Sequence, residues 1–309
     1  MNFANARVEA HNIWPAKTSF KAEEMFIRRL SEIKDKELFK PISIAQNSNA
    51  DYQRCVGHLL DALDQVPHRP DYAFDNFFRI IDIAASPWFS RRGIKGIVQG
   101  TSSRLFTADS TSWEQIIDSL CLAMPLRTYE LLAKRLLAAA LTQEGENDPL
   151  YKRALHAFGP KFYPAFVRKY ALDKSGNLCP NIAETNRGNA ASLLKLYMSG
   201  KAGTRSKPAS DPALDLTKKE NLGSPNQRSE VLLSLLLFTI RNERAHGNVL
   251  SPFRTSKSTL ERYESYYFIM LLSYIYALGV LSLRFQCISP KNILNGCTEN
   301  IQAQKAFFS

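Results

Sequence analysis

Four residues separate Arg241 from His246 in the stretch Ile240-Arg-Asn-Glu-Arg-Ala-His-Gly247. These two residue types suit chemistry on a ribonucleotide phosphodiester. RNA carries its own nucleophile, the ribose 2′-hydroxyl. Cleavage then needs a proton acceptor, a positive charge at the phosphate and a proton for the leaving 5′-oxygen. A histidine titrates near neutral pH and can move protons. An arginine stays charged and presents a forked donor to phosphate oxygens. Asn242 can orient the histidine or hold the phosphate by hydrogen bonds.

The spacing alone decides little. With 21 arginines and five histidines, random placement yields about one such match. The context adds weight. A long apolar run from Val231 to Ile240 precedes the arginine, Asn242 follows it directly, and Ala245-His246-Gly247 closes the stretch. The whole string resembles the signature of the HEPN superfamily over about ten residues. The first two hundred residues or so carry no such likeness.

That resemblance implies an α-helical bundle and a metal-independent endoribonuclease that needs no cofactor. Arg241, Asn242 and His246 are then catalytic, and the biological role is that of a toxin or antiviral effector. The resemblance also implies a composite site at a two-fold interface. The expected partners are therefore RNA and a second copy of the chain, or the HEPN domain of another protein, with an antitoxin or defence-system protein as a further candidate. Helix geometry agrees with a two-copy site. Five residues turn about 140° along an ideal helix, so Arg241 and His246 do not share a narrow face. They converge if the helix ends near Ala245 or if a second subunit supplies its own pair.

Plainer readings stand beside this one. Arg241 can serve a helix C-terminus or a surface carboxylate, and His246 can be a C-terminal cap favoured by the helix dipole. Glu243 and Arg244 read as a solvated pair, although Arg244 also joins the candidate RNA-binding set. The rest of that set is Arg91, Arg92 and Lys95 in a glycine-containing stretch, and Lys218 and Lys219 in a polar segment that also holds Lys201, Arg205 and Lys207. Simple solvation is the alternative for each cluster. His58 and His156 fall in expected helices, and His11 and His68 carry no motif. Tyr263, Tyr266, Tyr267, Tyr274 and Tyr276 read as core or interface rather than as a base-stacking platform.

The net charge of +11 and a pI near 9.4 attract polyanions, so RNA, DNA and anionic membranes are all candidates. Five widely spaced cysteines without a CxxC pair argue against a disulfide framework or thiolate zinc site. The first residues lack the basic-then-apolar order of a secretory signal, and a cytoplasmic location is expected. Tyr266 to Leu283 holds no charge and approaches the length of a membrane span. Its tyrosines, serines and glycine favour a buried central helix instead, with no membrane partner.

The elements needed to position the pair are helical. Periodicity predicts helices over Lys21 to Phe39, Asn49 to Val66, Asp71 to Ala85, Thr128 to Leu141, Pro149 to Ala157, Pro160 to Leu172 and Ala183 to Met198. Ser110 to Glu114 offers caps for another. Ser229 to His246 and Ser258 to Arg284 follow, the latter the longest. Residues 86–110 break the pattern, with a connecting loop at their start, and 199–227 reads as a mobile loop. The fold class is all-α: a HEPN-like bundle over 111–309, with additional N-terminal helices over 1–110 that can belong to the same bundle. Two other functions remain open, a non-catalytic RNA-, nucleotide- or protein-binding module and a membrane-associated protein.

Overall fold

The computed structural model describes residues 3–13, 15, 16, 19–33, 37–90, 93–204, 209, 211–247 and 251–309. Among them the chain is all-α. No strand occurs, and one isolated bridge joins Leu172 to Leu178. The helices are α1 (Phe3–Asn12), α2 (Lys21–Glu32), α3 (Ala50–Leu63), α4 (Pro70–Ala85), α5 (Gly93–Ala108), α6 (Ser110–Ala123) and α7 (Leu126–Ala140). They continue with α8 (Pro149–Ala171), α9 (Pro180–Met198), α10 (Pro225–Glu230), a π-helical stretch (Val231–Leu237), α11 (Phe238–Ala245), α12 (Leu260–Phe285) and α13 (Pro290–Phe308).

Helix α12 is the axis of the bundle. It packs most extensively on α4, and also on α13, α5, α2 and α7. Among the described residues it is the one helix long and apolar enough to cross a membrane, yet 78% of its most apolar window is buried. Three of its buried tyrosines place their hydroxyls on partners, as buried phenols require. Tyr274 Oη accepts from Ile42 N at 2.7 Å, Tyr276 Oη donates to Ser229 O at 2.9 Å, and Tyr267 Oη donates to Pro67 O. Against them α4 sets Phe74, Phe77, Phe78 and Ile81, all buried at helical spacing.

Local signals explain several boundaries. Asn49 caps α3 by accepting from Asp51 N and Tyr52 N. The cap of α6 is Asp109, which accepts from Ser112 N, and not one of the residues 110–114. Gly159, at φ 82°, interrupts α8 just before Pro160, so the two shorter helices expected there lie end to end across a kink.

Four expectations need correction. The helix from Lys21 ends at Glu32 rather than Phe39, because Leu38 and Phe39 are buried outside any helix and Phe39 meets the Tyr274 ring at 5.1 Å. Residues 93–108 form helix α5, not a break. Ile97, Val98 and Leu105 face the core, and the missing side chain of Gly100 admits the Phe89 ring, 2.4 Å from where a Cβ would stand. Helices α1 and α13 also lie where none is expected. The described part of 199–227 is tied down rather than mobile. Leu214 and Leu216 are fully buried, Gly203 N donates to Leu216 O at 3.0 Å, and Arg168 pairs with Asp211 at 2.9 Å.

Neither 86–110 nor 199–227 separates two cores. One continuous apolar cluster runs from Ala22 to Phe307. The helices before residue 110 therefore belong to the bundle that carries Arg241.

Candidate active site at the end of α11

The string from Arg241 to His246 is delivered by an apolar stem. Every residue from Val231 to Ile240 is buried. Within it, Val231–Leu237 is π-helical, an i→i+5 stretch of the kind that recurs at functional sites and changes the helix register relative to α10. Buried Arg153 of α8 donates to Thr239 Oγ1 at 3.2 Å and lies over the Phe238 ring. Burial pushes its guanidinium down to about 10, against the opposing pull of Asp148.

The helix ends where the pair requires. Ala245 is its last residue, and His246 leaves helical geometry at φ −93° and ψ 6°. His246 N donates to Asn242 O at 3.0 Å, and Gly247 N donates to Arg244 O at 3.2 Å. Gly247 adopts φ 68°, the left-handed stop that glycine accepts without strain. His246 is therefore freed from the 140° helical offset. Its side chain is exposed and makes no hydrogen bond or ion pair among the described residues.

The two charged residues between them belong to the fold. Glu243 accepts from Arg135 Nε at 2.7 Å and from its Nη2, which ties α11 to α7. Arg244 grips Asp75 with contacts of 2.6–3.1 Å and reaches Asp71 at 3.4 Å, which ties α11 to α4. Asp71 itself is fully buried and also takes both forks of Arg69. Glu243 and Arg244 are thus not a solvated pair. Arg244 also departs from its expected RNA-binding role, because its side chain is only 11% exposed and its fork is occupied by carboxylates.

Arg241 differs. Its side chain is 34% exposed, three times as much as that of Arg244. One amine, Nη1, donates to Asn242 Oδ1 at 3.2 Å. Another, Nη2, lies 3.5 Å from Asp82 Oδ2 of α4. Asn242 therefore orients the arginine rather than the histidine. Burial pushes the Asp82 carboxyl up to about 6, and Arg241 opposes that rise.

Among the described residues, the other candidates are not joined to this cluster by any hydrogen bond or ion pair. Lys95 is exposed in the first turn of α5, and Lys218 and Lys219 are exposed at the turn Lys219–Asn221. Arg91 and Arg92 lie outside the described residues, as do Arg205 and Lys207. His58 neighbours Asp61, and His156 neighbours Glu230. Three of the better-formed hollows in the surface lie elsewhere, one of them a groove between α8 and α9 beside Asn186, Asn189 and Ser192. None of these three is lined by Arg241 or His246. No group of three His, Cys, Asp or Glu side chains is placed to hold a metal among the described residues.

The missed residues are the carboxylates of α4. Asp71, Asp75 and Asp82 fall within about 40° of one another in helical projection, a polar stripe on an otherwise aromatic helix. That stripe is the signal that could have found them. Comparison with protein-family models, with curated proteins and with solved structures finds no match.

Proposed function

We propose that this protein is a metal-independent endoribonuclease of the HEPN type, with its site at the C-terminal end of α11. The observation that carries the reading is the division of labour within one turn. Glu243 and Arg244 are consumed by tertiary ion pairs, while Arg241 keeps donors toward solvent and His246 stands free at the helix stop. A string needed only for packing gives no reason to leave both ends available.

The chemistry follows from these roles. The 2′-oxygen attacks phosphorus while an imidazole takes its proton. The bond from phosphorus to the 5′-oxygen breaks, and an imidazolium returns a proton to that oxygen. The products are a 2′,3′-cyclic phosphate and a 5′-hydroxyl. Arg241, steadied by Asn242, neutralises charge that builds on the phosphate oxygens. The exposed position of His246 and the single histidine per site suit completion by a second copy, one His246 acting as base and the other as acid. A toxin or antiviral role, with an antitoxin or defence-system partner, accompanies this reading.

Purified protein incubated with RNA tests it. His246→Ala and Arg241→Ala are each expected to lower the cleavage rate by about 100-fold or more. Full activity in His246→Ala, or abolition of cleavage by a chelator, sinks the mechanism. A second reading is an RNA-binding module without cleavage, in which Arg241 holds a phosphate and His246, unpaired among the described residues, moves no proton. Under that reading, wild type and Arg241→Ala are equally harmless when expressed.

A further inference from the structure

The three arginine–carboxylate contacts on α11 are unequal. Arg135 and Glu243 meet fork to fork, and Arg244 grips both oxygens of Asp75. Asp82 and Arg241 share one long contact of 3.5 Å between Oδ2 and Nη2. The other carboxylate oxygen, Asp82 Oδ1, is buried with no hydrogen-bond partner. A charged carboxylate in that position is poorly solvated and poorly paired. Its guanidinium partner is the most exposed of the three.

We propose that Asp82 is the resident counter-ion of the phosphate seat: it draws the Arg241 guanidinium against α4 when no phosphate is bound, and yields it to an incoming phosphodiester. This rests on the reading of Arg241 as that seat. Asp82 touches no reacting atom and is a positioning residue. The loose pair suits exchange, because a phosphodiester can offer the guanidinium two oxygens at full hydrogen-bonding distance where Asp82 offers one at 3.5 Å. The fork-to-fork pairs beside it are not exchangeable in this way, so α11 stays docked while Arg241 changes partner.

Ionisation of Asp82 then sets the charge of the seat. With the carboxylate charged, Arg241 and Asp82 sum to zero; with it neutral, the seat is cationic. Among the described residues Arg241 is the charged group that acts on Asp82, and α3, α5 and α12, which also pack on α4, present no other that shifts it. Asp82→Asn keeps the shape of the side chain and removes the competing charge, and Oδ1 has no hydrogen bond to lose.

The test measures binding of a 2′-O-methyl RNA oligonucleotide, which lacks the free nucleophile. Fluorescence anisotropy compares wild type, Asp82→Asn, Arg241→Ala and the double variant near neutral pH and near pH 5. Comparison with wild type at the same pH cancels charge gained by histidines. Asp82→Asn is expected to bind about threefold more tightly near neutral pH. The gain fades toward pH 5, where wild type is itself protonated at Asp82, and it is absent in the Arg241→Ala background. If Asp82→Asn binds no better while Arg241→Ala binds less well, the counter-ion role is overturned and the phosphate seat stands. If Arg241→Ala binds and cleaves as wild type does, both fall together.

Discussion

Three arginines meet α11, and their value depends on what already holds them. Arg135 and Arg244 close fork-shaped pairs, so their donors are spent on docking the helix. Removing one strands carboxylates that depend on it. Arg244→Ala leaves Asp75 unpaired and leaves buried Asp71 to Arg69 alone, and is expected to cost about 2–3 kcal/mol in chemical denaturation. Arg241→Ala strands only Asp82, and its main effect is expected in RNA binding and cleavage rather than in stability. Asp82 makes a second measurable claim. Its carboxyl lies at about 6 in the folded chain, above the usual value near 3.9 for an unfolded aspartate. The folded state therefore binds that proton more tightly, and this group's contribution to stability falls as pH rises between about 4 and 6. Asp82→Asn removes that slope. Its unfolding free energy, read from denaturant titration, is expected to exceed that of wild type near neutral pH by on the order of 1 kcal/mol, and to match it near pH 4. A wild-type advantage near neutral pH counts against the burial argument.

At the scale of the element, α11 is short, and its position is set by others. The buried π-helical stem anchors its start, and α4 and α7 hold its last turns through Asp75 and Arg135. Helix α12 supports α4 in turn, and its Gly279 makes room for the Trp113 ring of α6. A Cβ there would stand 2.6 Å from the Trp113 ring. Gly279→Ala gains helix propensity but overpacks this contact, with an expected net loss of about 1–3 kcal/mol by denaturant unfolding. An unchanged midpoint shows that Trp113 can move aside. Helix α12 was legible because its apolar length is unmistakable. Helix α5 was not, because Gly93, Gly96 and Gly100 look like a turn until the Phe89 ring that occupies the space at Gly100 is known.

For the whole molecule, charge and assembly are the relevant quantities. A net charge of +11 predicts RNA binding that weakens as salt rises, the mark of released counterions. Basic residues outside the site, including Lys95, Lys218 and Lys219, are exposed and contribute to this field without a bond to the Arg241 cluster. The exposed position of His246 makes a sharper prediction about assembly. If two copies complete one site with both histidines, adding excess His246→Ala protein to wild type lowers cleavage beyond simple dilution, because a mixed pair holds a single histidine. Cleavage that stays proportional to the amount of wild type after exchange of subunits, checked by sedimentation, means that one chain acts alone.

The sequence by itself determined the all-α class, the buried character of α12, the glycine stop at Gly247 and the string that suggests ribonuclease chemistry. These are local matters of periodicity, composition and backbone freedom, and neighbouring residues settle them. Only the tertiary structure decided which charges in that string are available. Glu243 and Arg244 look as solvent-facing as Arg241 in a one-dimensional reading. Their partners lie 108 and 169 positions away, on helices whose arrangement no short stretch encodes. The same is true of the pair with which the sequence analysis opened: the spacing from Arg241 to His246 became a geometry once α11 was seen to end at Ala245 and α4 to set Asp82 beside the arginine.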